Sequence, residues 1–462
     1  MSSRDRLLIG LGVASIGPYV ALALAGDLGA RPQLHLSLHA FLFLLYLAGV
    51  RVVLRPDPGR EPASAAVVFF VAIAFRLVLL PGTPSLSDDI YRYIWEGGIQ
   101  LEGINPYRHV PSDPVLTPYR DRFYDPINHK ELPAIYPPAM QWAFALAVLL
   151  GRSVLAMKAV FVAADAVLIW LLARLLRAGR VPDGRILLYA WNPLVVVEVA
   201  GSGHNDPLAL CFLIAATVGI IGRRPILSMT ALGISAACKL VPLLLLPLFA
   251  RRVRPLALLV PPLILASCYL PYVSAGGHLF HSPQQYAERW RSNESLFAVI
   301  VELVEASGIS APAKSWVDAR GLLSLYTQPH ILARGLALAI CLAVLAALAW
   351  RLRRPGSELT RAIFLFTGTA LAVGPVLHPW YLIWIAVWLP LHPSPAWIAL
   401  TGLAPLAYLE AGWVPWVEYL PLFGIMIYSA LSARRSQSGA GNRPMPESPV
   451  IDSPAASKEI GS

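Results

Sequence analysis

Long apolar runs, broken by short clusters of arginine, restrict this chain to one architectural class. The runs begin near Leu7, His35, Ala63, Ser153, Ile186, Pro207, Pro225, Leu240, Pro255, Ile331, Arg361, Trp380, Ala396 and Trp416. Each is long enough, or nearly so, to cross a hydrocarbon core, which takes ~20 residues of helix. They are apolar continuously rather than in stripes, unlike the helices of a water-soluble fold. Composition agrees, with 56% of the 462 residues hydrophobic and 14% charged, against roughly half and a quarter in soluble domains. Lipid offers the backbone no hydrogen-bond partner, so the spans must be helical. The expectation is an all-α polytopic membrane protein with about 12–14 transmembrane helices.

The net charge of +10 would suit a polyanion such as nucleic acid, but its distribution argues against one. The arginines cluster between runs, at Arg51/Arg55/Arg60, Arg174/Arg177/Arg180/Arg185, Arg223/Arg224, Arg251/Arg252/Arg254, Arg351/Arg353/Arg354 and Arg434/Arg435. Cytoplasmic loops look like this under the positive-inside bias. With the amino terminus inside, the fourteen runs put every cluster in the cytoplasm. The reading is therefore a multi-pass protein of the inner (plasma) membrane with both termini cytoplasmic and no nucleic-acid partner. Arg4 and Arg6 before the first run imitate a signal peptide, but the many following spans favour a retained helix. Residues 139–150 are apolar yet too short to span, and counting them as a span would throw Arg174–Arg185 outside; they read as an interfacial or re-entrant helix. Three regions follow: residues 1–62 as two amino-terminal helices, 63–433 as a membrane core with external loops 82–152 and 274–330, and 434–462 as a disordered, Ser/Pro/Gly-rich tail. Cys211, Cys238, Cys268 and Cys341 lie inside apolar runs without paired spacing, which speaks against disulfides and zinc.

Polar and aromatic residues gather on the outer side. Ser87-Asp88-Asp89 reads either as a helix cap, with Arg92 one turn on as ion-pair partner, or as a general base. Tyr91, Trp95 and Asp88 share a helical face, and an aromatic wall beside an acid suits a sugar ring. His204-Asn205-Asp206-Pro207 reads as an ordinary helix start, with His204 as a donor to phosphate or sugar. Lys239 interrupts an apolar stretch at an outer turn, where it either snorkels or holds a lipid phosphate. Arg76, near the outer end of the third span, carries the same two readings. Arg289 and Arg291 flank Trp290, as interfacial anchors or as neutralisers of a phosphate leaving group. Trp380 and Tyr381 fit an aromatic belt, while His378, held extended before proline, is placed to reach a site.

The segment Asp88-Asp89-Ile90-Tyr91-Arg92-Tyr93-Ile94-Trp95-Glu96-Gly97, followed by Gly103-Ile104-Asn105-Pro106-Tyr107, resembles the first external loop of integral membrane glycosyltransferases of the GT-C superfamily. The branch it is most similar to is the bacterial polyprenyl-phosphate-mannose-dependent mannosyltransferases. Tyr136-Pro137-Pro138, Gly203-His204-Asn205-Asp206, Trp290 with Asn293, and His378-Pro379-Trp380-Tyr381 extend the resemblance across residues 60–430. It implies a GT-C-like bundle with two large extracytoplasmic loops. It implies inverting transfer of a sugar, mannose by analogy, from a polyprenyl-phosphate donor to a lipid or glycan acceptor. The base would be Asp88 or Asp89. Tyr91, Arg92, Trp95, Asn105, Tyr107, His204, Asn205, Asp206, Lys239, Arg289, Trp290, Asn293, His378, Trp380 and Tyr381 would bind substrate. No cofactor or resident metal is expected, with room for a weak divalent-cation dependence. The competing reading is a transporter or flippase of a lipid-linked glycan. Transporters place charge at mid-membrane, and here the spans hold few acids, Asp165, Glu198 and Glu302.

Overall fold

A computed structural model describes residues 2–55, 61–320, 330–354 and 358–440; Arg60 and residues 441–462 of the expected tail lie outside the described residues. The protein is helical throughout, and among the described residues the only extended pairing is one parallel bridge between Ser292 and Val376. Helix α1 (Ser3–Leu24) starts with a capping box between Ser2 and Asp5, whose carboxylate also accepts from Ser64 N–H (2.9 Å). That bond ties α1 to the start of α3 (Ala65–Leu79), and α2 (Pro32–Leu54) packs on α1. Helix α4 (Asp89–Leu101) and α5 (Pro138–Leu150) form a hairpin ahead of α6 (Val154–Ala178).

Six helical stretches are long and apolar enough to span: α1, α2, α6, Pro255–Arg289, Ile331–Arg351 and Val414–Ala433. Two bent pairs, Pro193–Gly201 with Asp206–Ile221 (120°) and Leu296–Ala306 with Ser310–Val317 (79°), raise the number to eight. This is an all-α polytopic membrane protein with fewer full-length spans than the fourteen apolar runs suggest. Proline accounts for much of the difference, because it removes a backbone donor and clashes with the preceding turn. Pro242 and Pro247 divide the run after Lys239 into a 3₁₀ turn (Val241–Leu245) and one helical turn (Leu246–Phe249). Other runs yield short helices, including Pro225–Cys238, Leu359–Val373 and Pro395–Leu403. Hydropathy counts apolar residues, not continuous helical hydrogen bonds.

Arg76 corrects an expectation. It neither snorkels nor meets headgroups but is fully buried. Its Nε donates to Asp165 (2.5 Å), and its Nη1 donates to the carbonyls of Ala72 (3.0 Å) and Ala190 (2.7 Å). The Tyr189 hydroxyl donates to the second Asp165 oxygen (2.6 Å). This cross-link joins α3, α6 and the segment after α6, so one of the in-span acids is a staple rather than a carrier of solute.

The α4–α5 hairpin carries the first external loop. Gly97 permits it, because a Cβ there would sit 2.5 Å from the Phe144 carbonyl oxygen. Tyr93 stacks on Phe144 with ring centroids 4.6 Å apart. Arg92, expected to pair with Asp88 or Asp89, turns the other way. Its Nε donates to Glu96 (2.8 Å), while its terminal nitrogens donate to the carbonyls of His129, Leu132 and Pro133. It thereby fastens residues 128–133 against α4, and among the described residues neither aspartate forms an ion pair with arginine or lysine.

Candidate active site

Asp88 occupies the cap position of α4 without a side-chain capping bond, and the Ser87 hydroxyl accepts from Asp89 N–H (3.3 Å). One amide bridges the carboxylates: Asn128 Nδ2 donates to Asp88 Oδ1 (2.6 Å) and to Asp89 Oδ1 (2.9 Å). Asp88 is the more exposed of the two, and Asp89 is half-buried. Partial burial raises the Asp88 carboxyl above its usual value and the neighbouring Asp89 charge adds to this, while the Asn128 amide works against both.

From Asn128 the contacts run around the site. His129 packs edge-on against Trp290 (4.9 Å), which stacks on Tyr286 (5.6 Å). The Tyr286 and Tyr381 hydroxyls are hydrogen-bonded. The Lys239 ammonium lies 5.8 Å from the Tyr381 ring, 5.9 Å from Tyr136 and 6.0 Å from Trp384. It is ion-paired with buried Asp206, which also accepts from Trp384 Nε1 (2.5 Å). Tyr136 returns to α4 through its hydroxyl bond with Tyr93 (3.0 Å). The Asp89 charge acts on Tyr136, Tyr286 and His378. Residues from four distant stretches of chain thus close on the aspartate pair.

Backbone geometry places the remaining members. The chain reverses by 120° between Gly201 and Asp206. Gly203 has φ +82°, and a Cβ there would lie 2.5 Å from Ile90 Cδ1, so glycine is required. Asn205 caps the Asp206–Ile221 helix by position with Pro207 following, but its side chain makes no capping bond. Its amide is wholly buried beside Tyr136. Trp380 lies parallel to both His204 (4.1 Å, 17°) and His378 (4.3 Å, 8°). Two rings so close cannot share one face, so the indole is sandwiched between them. Burial pushes His378 down to about 4, with Asp89 pulling the opposite way, which leaves its imidazole neutral at physiological pH.

Several expected substrate contacts turn out to hold the loops instead. Trp95 is fully buried with Ile99, Leu116 and Ile127 and packs on Tyr124 (5.3 Å), so it gives no open wall beside Asp88; Tyr91 is only partly buried. Tyr107 is buried against Tyr272 and donates to the Tyr136 carbonyl (2.7 Å). Asn105 donates to the Tyr272 carbonyl (3.1 Å) and Ser274 (3.0 Å), joining the two external loops. Asn293, at φ 44°, donates to Glu418 (2.8 Å), and its carbonyl accepts from Tyr419 (2.5 Å). With the Ser292–Val376 bridge beside it, Asn293 fixes Trp290 relative to His378. Arg291 is occupied by Glu294 and His330, while Arg289 is exposed and touches none of the cluster among the described residues.

Asn128, Tyr286 and Trp384 were missed from sequence. Two left a signal: Tyr286 is one helical turn before Trp290, and Trp384 one turn after Trp380. Asn128 sits in an irregular loop that gives no period to read.

This polytopic helical bundle, with paired acids, a lysine and an aromatic surround drawn together, matches two glycosyltransferase families. The family described as "Alpha-(1->6)-mannopyranosyltransferase, N-terminal domain" matches residues 10–253, and "Glycosyltransferase family 87" matches residues 134–375. The chain belongs to glycosyltransferase family 87. It is 25% identical over 397 residues to a probable alpha-(1->6)-mannopyranosyltransferase of Mycolicibacterium smegmatis, covering 74% of this chain and 67% of that protein. It is 28% identical over 142 residues to an alpha-(1->6)-mannopyranosyltransferase of Mycobacterium tuberculosis, covering 29% of this chain and 24% of that one. No solved structure matches.

Proposed function

We propose that this protein transfers mannose from a polyprenyl-phosphate donor to a hydroxyl of a lipid or glycan acceptor, at the extracytoplasmic face of the cytoplasmic membrane and with inversion. The observation that carries the reading is the circuit from Asp88 and Asp89 through Asn128 and its neighbour His129, Trp290, Tyr286 and Tyr381 to Lys239, and back to α4 through Tyr136 and Tyr93. Mannose is favoured by the relatives' names, and the outer face by the cytoplasmic placement of the arginine clusters.

Asp89 is the proposed base, since it is the less exposed of the pair and its charge is felt at Tyr136, Tyr286 and His378. It takes the acceptor O–H proton as that oxygen attacks the sugar's anomeric carbon. The bond to the phosphate oxygen breaks on the opposite side, and the phosphate leaves with the electron pair. Lys239, ion-paired with Asp206 at the turn that faces the cluster, stabilises that charge. His204, His378, Trp380 and Tyr381 flank the sugar with rings and donors. Arg289 is free to meet a lipid headgroup. Arg92, Trp95, Asn105, Tyr107 and Asn293 act by holding the loops.

The decisive experiment supplies purified protein in lipid nanodiscs with mannosyl-phosphoryl-polyprenol and an alkyl mannoside. Labelled product is expected from this donor and none from a nucleotide sugar. Direct use of the nucleotide sugar would overturn the donor assignment. Movement of glycolipid between leaflets with the sugar–phosphate bond intact would establish a transporter.

The donor set bears on metal dependence. Among the described residues no three His, Cys, Asp or Glu side chains converge, so the chain offers no closed metal cage, although one or two carboxylates with a substrate phosphate suffice for Mg²⁺. Exhaustive chelation is expected to leave transfer running, at most at a reduced rate, measured before and after restoring Mg²⁺ or Mn²⁺. A rate that collapses and returns with metal would contradict this.

The pH dependence follows from sign. The base works deprotonated, so kcat/KM falls on the acid side, and partial burial, which raises the neighbouring Asp88 carboxyl above its usual value, brings Asp88 protonation into that limb earlier than for an exposed carboxyl. His378, already neutral down to about pH 4, contributes no charge change between about pH 5 and 8. His378→Gln is expected to lower the rate but leave the midpoint of the acid limb in place.

A further inference from the structure

Asp165 and Glu198 both lie buried among the spans, and they are treated differently. Asp165 has an arginine and a tyrosine as partners. Glu198, 1% exposed, forms no ion pair with arginine or lysine among the described residues. It accepts from the Tyr408 hydroxyl at 2.6 Å through Oε1. Its Oε2 completes no hydrogen bond and lies 3.3 Å from Nε2 of His204, a ring only 2% exposed whose Nε2 is likewise without another partner. An ionisable side chain kept in a span without a cation calls for a role.

The backbone is distorted to bring this pair together. In an α-helix, side chains six residues apart point about 120° away from each other. Here Val197–Gly201 forms a π-helical turn, and His204 N–H donates to the Glu198 carbonyl (3.0 Å). Gly203 at φ +82° completes the reversal. Such turns recur at functional sites. Trp380 fixes the plane of the His204 ring, but stacking does not fix which edge faces the site.

On the functional reading above, we propose that Glu198, held by Tyr408, is the positioning residue for His204. The carboxylate keeps a proton on Nε2 and fixes the ring's rotation, so Nδ1 is the nitrogen presented to substrate. Neither Glu198 nor Tyr408 needs to touch substrate. Tyr408 in turn packs beside His35 of α2 (ring centroids 5.8 Å), which gives the amino-terminal helices a place behind the site.

The test is a double-mutant cycle with an independent spectroscopic readout. Glu198→Gln is expected to lower kcat by about 10–100-fold with little change in KM, and Tyr408→Phe by a smaller factor. In a His204→Phe background, which keeps the stack, Glu198→Gln should have no further effect. Additive losses, or an unchanged kcat, would overturn the proposal. If Glu198→Gln fails to accumulate, the Tyr408→Phe cycle is read the same way. The ¹⁵N shifts of His204 should report an Nε2–H tautomer in the wild type and a mixture in Glu198→Gln; the same mixture in both would overturn the positioning role. Wild-type protein that transfers no sugar would sink the functional reading, and the nitrogen shifts would still decide the role of Glu198.

Discussion

Asp89→Asn is expected to abolish sugar transfer, with a loss on the order of 10³-fold, whereas Asp88→Asn should cost about tenfold, both set against the 10²–10⁴ usually supplied by a general base. Asparagine keeps the shape and the oxygen that accepts from Asn128, so α4 and its loop should fold in both variants. What changes is the capacity to take a proton. The measurement is single-turnover transfer in membranes holding equal amounts of each variant, with the lipid-phosphate donor in excess. If Asp88→Asn stops transfer and Asp89→Asn does not, the outer carboxylate is the base. Should both variants retain full rate, neither is, and the circuit around them serves binding alone.

The sequence was most legible where one-dimensional patterns suffice. Apolar runs and arginine clusters identify helices and a membrane class, because burial in lipid depends on local composition. The aspartate pair, Lys239, His204, His378 and Trp380 were found as isolated oddities, and the fold brings them together. Pairings across long separations were not legible. Asp165 was visible as an acid in a span, but its partner Arg76 lies 89 positions away, and no spacing links them. Trp95 shows the opposite failure. Helical periodicity correctly set it one turn from Tyr91, yet the face they share packs against Leu116 and Ile127 of the same external loop. Periodicity gives the face, while tertiary packing decides what covers it. Asn128 illustrates a third limit: its role comes from Arg92 holding the neighbouring carbonyls, and irregular loops carry no period.

The same long-range cross-link sets the largest expected effect on stability. Asp165→Ala leaves the Arg76 guanidinium buried, with only carbonyls for partners, and should destabilise the protein by about 3–5 kcal/mol. The Tyr189 hydroxyl loses its acceptor in the same step. Replacing both charges, as Arg76→Met with Asp165→Leu, removes the unpaired ion and is expected to recover most of the loss, since apolar pairs of similar volume often match a buried ion pair. Thermal unfolding in detergent, followed by size-exclusion fluorescence, would measure the three variants against wild type. Equal loss in the single and double variants would mean that charge pairing is not what holds α3 to α6. The double variant also separates the two functional classes. A transporter that moves solute by protonating Asp165 loses its function when that acid becomes leucine, however well it folds. A transferase whose chemistry lies at Asp88 and Asp89 keeps its rate once the fold is restored, so retained transfer in Arg76→Met/Asp165→Leu is the expected result.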